Sequence, residues 1–382
     1  MAKVKRIAII TSGGDAPGMN AAIRAAFRCT KMRDIHHQII LFKNGFRGLA
    51  GRLEADMDVN VQRNELRGIL NRGGTFIGTG RVEQLLPVRD DEENRDRRLR
   101  ERQAFLDVAA VNIYQLGVDG LIVIGGDGSY RGAHAIAQAY RERFDRPLRV
   151  VGIPATIDND IYGTDYTIGF DTAVSNTVDA LRKIRDTVES HRRAIILEVM
   201  GNRSGWIALT AGVAAGATTI LLPEIPESYD IERVVNRCVA ALAGDYRFFI
   251  IVMAEGVKKA SGNPNYGPDL ADAISSNAEV AAVLGHRMSV RYNVIGHLAR
   301  GGTPTATDNV IAARFALAAV RAVLGEVHQA AGWDDLAVVL RGKEVCYMPL
   351  EEVATHGARL ITRDDDLYTL SYDLTVQEVQ PF

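Results

Sequence analysis

Short segments of continuous apolar residues alternate along this chain with longer segments in which apolar residues recur at helical spacing. The apolar segments predict strands, and helix-like stretches of ten or more residues follow them. The strands are expected at residues 7–10, 38–42, 121–124, 148–153, 194–199, 219–222, 248–253 and 292–295. Because a continuously apolar strand must be covered on both faces, this alternation predicts an α/β fold with mostly parallel sheets.

Three segments depart from the alternation. Residues 87–103 are dense in charges of both signs, which predicts a solvated helix with ion pairs four residues apart. Residues 258–268 are rich in Gly, Pro and Asn and are expected to form a loop. Residues 367–372 alternate between apolar and polar side chains, and this period of two predicts an edge strand.

The composition is that of an ordinary soluble protein. The chain has 382 residues, of which 47% are hydrophobic and 24% charged, and this length is sufficient for two domains. A net charge of -2 gives no support for binding to nucleic acid or to an anionic membrane. Cys29, Cys238 and Cys346 lie far apart, and no apolar window is long enough for a signal peptide or a membrane span. We therefore expect a cytoplasmic protein.

Two carboxylates follow the strand predicted at 148–153. Asp158 and Asp160 stand two residues apart in the segment Pro-Ala-Thr-Ile-Asp-Asn-Asp that begins at Pro154. In an extended chain, side chains two residues apart point the same way, so both carboxylates would face one cavity. Ligands of open α/β sheets bind at the carboxyl ends of strands, which makes this a candidate site. The alternative is a simple turn, because Asp and Asn are favoured in turns.

Glycine-rich turns follow two other predicted strands. Residues 11–20 and residues 125–129 (Gly-Gly-Asp-Gly-Ser) each join a strand to a helix. Glycine lets the backbone approach a phosphate closely, and a helix N-terminus supplies free N–H groups. Asp127 is of the type that binds Mg²⁺, whereas the structural alternative is a tight turn with Ser129 as the N-cap. Neither the P-loop pattern nor the dinucleotide fingerprint is present.

Arginines recur beside glycines at Arg72, at Arg81 and at Arg300, which His297 precedes by three residues. Guanidinium groups suit bidentate phosphate contacts, although a single surface arginine is more often structural. Together with the three strand ends, these arginines favour a site for a phosphorylated ligand and Mg²⁺.

Taken together, these segments resemble the 6-phosphofructokinase family over residues 5–324. The strings that carry the resemblance stand in the family's order at 11–20, 72–75, 125–129, 154–160, 163–170, 198–201 and 296–302. The resemblance implies two Rossmann-like domains with mostly parallel sheets and the active site in the cleft between them. It also implies transfer of the γ-phosphoryl group of ATP to O1 of fructose 6-phosphate, a glycolytic reaction that yields fructose 1,6-bisphosphate and ADP.

The resemblance implies a division of the chain into three parts. Residues 1–157 are expected to form a nucleotide-binding domain, to which the chain returns near its C-terminal end. Residues 158–325 are expected to bind the sugar phosphate. Residues 326–382 are expected to form an extension that packs back on the body of the protein.

The resemblance also assigns roles to single residues. Asp158 is expected to be the general base toward the sugar 1-hydroxyl, with Arg81 and Thr156 as further catalytic residues. Asp127 and Asp160 are expected to hold Mg²⁺. The nucleotide site would comprise Gly14, Arg81, Val82, Gly126, Asp127, Gly128 and Ser129. The sugar-phosphate site would comprise Thr156, Ile157, Asp158, Arg193, Met200, Gly201, Asn202, Glu255, Arg291, His297 and Arg300.

The assembly is also implied by the resemblance. Because the family equivalents of Arg193 and Arg291 reach across from a neighbouring subunit, a homo-oligomer is expected, usually a tetramer. One position departs from the family pattern. Asn202 stands where the motif Glu-Val-Met-Gly usually continues with Arg, and Arg203 follows it. Either Arg203 supplies the missing positive charge or this corner of the site is altered.

The effector site of short bacterial members is matched only in part, which leaves allosteric regulation open. Thr218 stands in place of the usual acidic residue. The family's lysines before Phe248 are missing, and Asp-Tyr-Arg occupies residues 245–247 in their place. The matching residues are Arg24, Arg28 and Arg185.

Two small residues bear on the phosphoryl donor. Pyrophosphate-dependent relatives typically carry Asp in place of Gly128 and Lys in place of Ala155. An Asp would repel the nucleotide α-phosphate, and a Lys would supply charge to a small inorganic donor, so this chain favours ATP. The alternatives are a pyrophosphate-dependent enzyme and a catalytically impaired regulatory subunit. An NAD kinase or a lipid kinase would leave the motifs at 154–160 and 296–302 unexplained, and no dinucleotide fingerprint follows the first strand, as a nicotinamide dehydrogenase would require.

Overall fold

The computed structural model describes residues 5–51, 57–58, 64–86, 88, 94–244, 246–327 and 335–375. These residues form two compact units, each with its own sheet. Unit 1 is drawn from Met1–Ile157, Ile161–Asp171 and Arg300–Gly357, and unit 2 from Asp158–Asp160, Thr172–Ala299 and Ala358–Phe382. The predicted α/β class with mostly parallel sheets is confirmed.

Among the described residues, eight strands follow the predicted apolar segments closely. The strands are β1 Arg6–Ser12, β2 Gln38–Phe42, β3 Met57–Asp58, β4 Gly120–Gly125, β5 Arg149–Pro154, β6 Ala194–Val199, β7 Thr219–Leu221, β8 Phe249–Ala254, β9 Val290–Val294, β10 Asp335–Arg341 and β11 Glu344–Pro349. Of these, β3, β10 and β11 were not predicted. Every residue of β4, β6 and β8 is buried, as expected for strands covered on both faces.

The helices occupy the segments between the strands. The α-helices are Met19–Arg33, Phe46–Leu49, Arg95–Gln115, Asp127–Phe144, Phe170–His191, Trp206–Ala215, Ile231–Ala243, Gly256–Ala260, Tyr266–Ser276, Ala278–Leu284, Ala306–Leu324, Leu350–Thr355 and Asp366–Leu374. Short 3-10 helices lie at Glu83–Leu85, Pro226–Ser228 and Gly296–Arg300. Within the described ranges, no helix combines the length and the apolar character needed to cross a membrane.

The sheet of unit 1 has the order β11-β10-β5-β4-β1-β2-β3. Its neighbours are parallel except for the pairs β2–β3 and β10–β11. Residues late in the chain complete this unit, because helix Ala306–Leu324 packs on β4 and β5 and β10 pairs with β5. These units therefore differ in their bounds from the predicted parts 1–157, 158–325 and 326–382. The assignment of nucleotide and sugar-phosphate binding to those parts stays a prediction.

The sheet of unit 2 has the order β7-β8-β6-β9, and its neighbouring strands are parallel. Its core is formed by buried side chains of β6 and β8 together with those of the helices at 231–243 and 266–276. Leu270 and Ile274, on the second of these helices, are fully buried. This core fixes the carboxyl ends of β6 and β8 beside each other.

Of the three segments that depart from the alternation of strands and helices, two were predicted wrongly and one is confirmed in part. Residues 367–372 lie in a helix, Asp366–Leu374, so the predicted edge strand is wrong. Leu367, Tyr368 and Ser371 face inward at helical spacing, which a short window does not separate from alternation. The predicted loop at 258–268 is wrong at both ends, because helices Gly256–Ala260 and Tyr266–Ser276 include those residues.

The helix predicted within 87–103 is confirmed from Arg95 onward. Arg97 and Glu101 form the expected ion pair four residues apart, with a distance of 2.7 Å between Nε and Oε1. Pro87 and residues 89–93 lie outside the described residues. Cys29, Cys238 and Cys346 carry free thiols in the structure.

Candidate functional site

Three strand ends of unit 1 lie side by side at one edge of the sheet. Ser12 at the end of β1 pairs in register with Gly125 at the end of β4, and Gly125 pairs with Pro154 at the end of β5. A Cβ atom on Gly125 would stand 2.4 Å from the Ser12 carbonyl oxygen, so this close approach requires glycine. The turns that follow the three strands are therefore neighbours, as a ligand site at the carboxyl edge requires.

The turn after β1 is held against the loop that contains Arg81. The Gly13 N–H donates a hydrogen bond of 3.3 Å to the Gly80 carbonyl. In return, the Thr79 hydroxyl donates one of 3.1 Å to the Gly13 carbonyl. This reciprocal pair brings Gly14 and Arg81, two residues assigned to the nucleotide, to the same edge of the sheet. Arg81 is exposed, and its neighbour Val82 is buried.

The turn after β4 does not match the structural alternative that was given for it. The helix begins at Asp127 with Gly126 as its N-cap, so Ser129 lies inside the first turn and is not the N-cap. The Ser129 hydroxyl oxygen is buried and has no hydrogen-bond partner among the described residues. A Cβ atom on Gly128 would meet no atom within 4 Å. The start of this helix thus presents open space and backbone N–H groups, which suits an anion.

Asp127 is buried and ion-paired with Arg131. The distance from Arg131 Nη1 to Asp127 Oδ1 is 2.6 Å, and the same nitrogen donates a longer bond of 3.4 Å to the Ala354 carbonyl. Our sequence reasoning missed Arg131. The available signal was its position four residues after Asp127, which places both side chains on one face of a helix.

Arg300 contacts the turn after β1. Its Nη1 donates a hydrogen bond of 2.9 Å to the Asp15 carbonyl, and a Cβ atom on Gly14 would stand 2.8 Å from that nitrogen. The loop around Gly73 is equally close to Gly302, whose carbonyl oxygen would lie 2.5 Å from a Cβ on Gly73. The structure therefore brings Arg300, assigned to the sugar phosphate, to the turn that contains Gly14.

The segment after β5 is not extended. The strand ends at Pro154, a turn occupies residues 157–158, and Asn159 has a left-handed φ of 50°. The premise that Asp158 and Asp160 share one face of an extended chain is therefore wrong, because the turn interrupts the strand geometry on which it depends. Thr156 stays beside the β4 turn, with its Cβ 3.7 Å from the Cβ position of Gly126.

The two carboxylates have different surroundings within unit 2. Asp160 is buried, and its Oδ2 lies 3.4 Å from Arg203 Nη2. Asp158 is half-buried, and its backbone carbonyl accepts a hydrogen bond of 3.1 Å from the Ser204 hydroxyl. Arg203 thus supplies a positive charge beside Asp160, whereas Asn202 is exposed.

The ends of β6 and β8 bring three residues assigned to the sugar together. The Gly201 N–H donates to Glu255 Oε1 at 3.3 Å, and the Gly256 N–H donates to the Gly201 carbonyl at 3.0 Å. Gly201 has a φ of 139°, and a Cβ there would stand 2.4 Å from the Ser204 carbonyl oxygen. This glycine lets the chain after Met200 fold back toward Glu255.

Arg193 and Arg291 lie at the opposite end of the same sheet. Arg193 immediately precedes β6, and Arg291 in β9 pairs with Ile195 near the start of β6. Met200 follows the other end of β6, roughly 16 Å from Ile195 at about 3.3 Å per residue. Within one chain, the structure does not bring these arginines to Met200 and Glu255. His297 follows the far end of β9 and is exposed.

Glu198, Lys258 and Tyr292 form an ionic cluster near the end of β6. This cluster was not predicted from the sequence. Glu198 accepts a hydrogen bond from the Tyr292 hydroxyl and pairs with Lys258 Nζ at 2.7 Å. Burial acts to lower the pKa of Lys258, but its contacts with Glu198 and Tyr292 raise it overall, so the amine is charged. The three residues are far apart in sequence, so no spacing pattern could reveal them.

The predicted Mg²⁺ ligands are of a suitable type. Among the described residues, no group of three or more His, Cys, Asp and Glu side chains could hold a metal ion. Mg²⁺ commonly binds through only one or two carboxylates together with substrate phosphates and water. Asp127 and Asp160 supply such carboxylates, and each contacts an arginine in the structure.

Comparisons with known proteins agree on one family. The sequence profile of the family named Phosphofructokinase matches residues 6–323. An ATP-dependent 6-phosphofructokinase of Persephonella marina is 38% identical over 348 residues, which cover 91% of this chain and 93% of the relative. One of Lysinibacillus sphaericus is 37% identical over 98% of this chain and 100% of its own length.

A solved structure extends the agreement to the fold. Phosphofructokinase from Saccharomyces cerevisiae has a TM-score of 0.76 and 32% identity over 92% of this chain. The chain spans only 45% of that yeast chain.

Proposed function

This chain belongs to the phosphofructokinase family, and from this premise we propose that it is an ATP-dependent 6-phosphofructokinase. It transfers the γ-phosphoryl group of ATP to O1 of fructose 6-phosphate and releases fructose 1,6-bisphosphate and ADP. One observation carries the choice of ATP: the open space at Gly128, where a Cβ atom would meet no atom within 4 Å. Ala155, the other position that bears on the donor, is buried and uncharged.

The nucleotide binds to the turns after β1 and β4. The backbone N–H groups at the start of helix Asp127–Phe144 donate hydrogen bonds to phosphate oxygens, and the buried Ser129 hydroxyl is a further donor beside them. Gly14 and Gly126 let the backbone come close to the phosphates. Arg81, which is exposed on the loop tied to Gly13, contributes charge to the transferring group.

Asp127 and Asp160 hold Mg²⁺ in this proposal. When bound, the ion neutralises charge on the transferring phosphoryl group. Arg131 and Arg203 are the present partners of these carboxylates, and they keep the two acids oriented by direct ion pairs. Arg203 also supplies the positive charge that Asn202 lacks.

Asp158 acts as the general base. It accepts the proton of the sugar 1-hydroxyl as that oxygen attacks phosphorus, a role that needs a carboxylate within hydrogen-bond reach of the hydroxyl. Its partial exposure leaves it accessible to a substrate, and the hydrogen bond from Ser204 to its carbonyl fixes the backbone of the turn. Thr156 and Ile157, which directly precede Asp158, are assigned with it to the sugar-phosphate site.

The sugar phosphate binds to Met200, Gly201, Glu255, His297 and Arg300. Arg193 and Arg291 complete the site from a neighbouring subunit, and their place at the start of β6, away from Met200 and Glu255 of their own chain, supports this assignment. The proposal therefore includes a homo-oligomer of at least two chains, with a tetramer as the family's usual form. It also includes a cytoplasmic location.

A steady-state assay tests the function. Purified protein is incubated with fructose 6-phosphate, Mg²⁺ and either ATP or pyrophosphate, and fructose 1,6-bisphosphate is measured. We expect turnover with ATP and little or none with pyrophosphate. Turnover that is equal or faster with pyrophosphate would overturn the donor assignment. Absence of product with both donors would favour the alternative of a catalytically impaired regulatory subunit. The presence of Asp127, Asp158 and Asp160 is an argument against that alternative.

A further inference from the structure

A cavity of about 520 Å³ lies within unit 2. Its walls come from β7 and the residues after it, from helix Ile231–Ala243, and from residues 363–375 near the end of the described chain. None of its lining residues belongs to the proposed nucleotide, sugar-phosphate or metal sites, or to the residues that match the family's effector site. Its volume is in the range that small metabolites occupy.

The charged lining of the cavity is predominantly basic. Arg233, Arg237 and Arg363 line it, against Glu227 as the acidic lining residue. Burial acts to raise the pKa of Glu227, but backbone hydrogen bonding and Arg363, at 2.6 Å, lower it overall, so this pair is ionised. Arg233 and Arg237 lie four residues apart on one helix face. Among the described residues, the lining therefore carries two more positive than negative charges.

Arg237 is held in place but retains an unused donor. Its Nη1 donates to the Thr219 hydroxyl at 3.3 Å, and its Nη2 donates to the Glu227 carbonyl at 3.4 Å. Its Nε is buried and has no hydrogen-bond partner among the described residues. The hydrogen bonds from Nη1 and Nη2 both go to neutral groups, so an anion in the cavity would stabilise the charge of this guanidinium.

Hydroxyl groups complete the lining on the side of the C-terminal helix. They come from Tyr368, Thr369, Ser371, Tyr372 and Thr375. Burial raises the pKa of Tyr368, so its phenol stays protonated and can donate a hydrogen bond. Hydroxyls opposite arginines suit a ligand that has both a phosphate group and hydroxyl groups.

We propose that this cavity binds a small phosphorylated organic anion. The phosphate group contacts Arg233 and Arg237, and the hydroxyl-bearing part faces Tyr368 and Thr369. Arg363 joins the C-terminal segment to the cavity through its pair with Glu227.

The chain just before Arg363 contacts the turn that contains Asp160. The Arg359 N–H donates a hydrogen bond of 2.7 Å to the Asp160 carbonyl, and the Arg359 carbonyl accepts one of 3.0 Å from Trp206 Nε1. Only three residues separate Arg359 from Arg363. A ligand that orders residues 363–375 thereby also restrains the chain beside Asp160. An effect on turnover rests on the proposed function, whereas binding does not.

Isothermal titration calorimetry tests the binding site directly. The full-length protein is first saturated with fructose 6-phosphate and a non-hydrolysable ATP analogue, and is then titrated with inorganic phosphate or glycerol 3-phosphate. We expect a saturable site for glycerol 3-phosphate, with weaker binding of inorganic phosphate. Arg233→Gln and Arg237→Gln should each weaken binding about tenfold or more, as for loss of a charge-assisted hydrogen bond. Arg233 is exposed, so its variant is expected to fold normally even if Arg237→Gln does not.

Two control variants separate this site from others. Arg287→Gln removes an exposed arginine of unit 2 that bonds to the Ser275 carbonyl, and Arg28→Gln removes an arginine that matches the family's effector site. Both should keep the wild-type affinity. The proposal is overturned if neither probe binds up to about 10 mM, where even millimolar sites fill. It is equally overturned if Arg28→Gln abolishes binding while Arg233→Gln retains it.

Discussion

Replacement of Gly73 by alanine should separate two loops of the site without disturbing the local backbone conformation. Gly73 is not among the glycines with positive φ, so alanine can adopt its conformation. The added Cβ would stand 2.5 Å from the Gly302 carbonyl oxygen, whereas ordinary contact begins at 3.4 Å. Because the neighbour is backbone, one of the two loops must move by about 0.9 Å.

This displacement sets the expected loss of activity. Arg300 lies two residues before Gly302, and its hydrogen bond to the Asp15 carbonyl is 2.9 Å long. A shift of about 0.9 Å displaces the guanidinium assigned to the sugar phosphate, and misplacement by 1 Å can cost about 10²-fold in rate. We therefore expect kcat/KM for fructose 6-phosphate to fall about 10²-fold in Gly73→Ala, with a stability loss of about 1–3 kcal/mol.

Gly68→Ala provides a matched control. Gly68 lies in the preceding turn, also outside the positive-φ set, and its Cβ would meet no atom within 4 Å. Steady-state kinetics with varied fructose 6-phosphate and thermal unfolding are measured for both variants and the wild type. Wild-type kcat/KM in Gly73→Ala would refute the role assigned to the contact between these loops. An equal loss in Gly68→Ala would show that the effect is not specific to it.

Two further changes test other parts of the site, and a third tests the half-buried Glu224 of unit 2, whose Oε1 accepts a hydrogen bond from the Gly205 N–H. Gly128→Asp should fold normally, because a Cβ atom there meets no atom within 4 Å and an acidic residue suits the first turn of a helix. The added carboxylate should lower kcat/KM for ATP about tenfold or more by repelling the nucleotide phosphates. Parallel assays with ATP and pyrophosphate measure this, and an unaltered value for ATP would contradict the donor assignment. Chelation of Mg²⁺ with excess EDTA should abolish turnover and re-addition of Mg²⁺ should restore it; turnover that persists in EDTA would remove the metal from the proposal. Burial raises the pKa of Glu224 above its ordinary 4.5, so its contribution to stability is present below pH 4.5 and is lost as pH rises through the folded-state pKa. In thermal unfolding between about pH 4 and pH 8, the Tm of Glu224→Gln relative to wild type should therefore rise with pH, and a pH-independent difference would count against this origin.

The strands of this fold could be predicted because each is a short apolar run bounded by turn residues. For β2 and β6, the predicted and observed bounds coincide. The two strands β10 and β11, in contrast, lie in a region for which only a packed extension was predicted. The place of β10 beside β5 depends on pairing between residues nearly two hundred positions apart, which local patterns do not reveal.

In the site, as in the sheet, features set by neighbouring residues could be predicted from the sequence, and features set by distant residues could not. The turns after β1, β4 and β5 could be predicted from glycine and acidic residues that follow apolar runs. Their adjacency follows from strand order, and the left-handed Asn159 depends on surroundings that hold it in that conformation. The cluster of Glu198, Lys258 and Tyr292 joins three distant segments, so it became visible only in the structure.

Transfer of the labelled γ-phosphoryl group from ATP to fructose 6-phosphate, compared in the wild type and in Asp158→Asn, tests the central claim most directly. The wild type should form labelled fructose 1,6-bisphosphate. Asp158→Asn should bind fructose 6-phosphate with an affinity near that of the wild type, but transfer the label about 10²–10⁴-fold more slowly, as expected for loss of a general base. An unchanged transfer rate in Asp158→Asn would remove Asp158 from the mechanism, and no labelled product from the wild type would contradict the proposed activity itself.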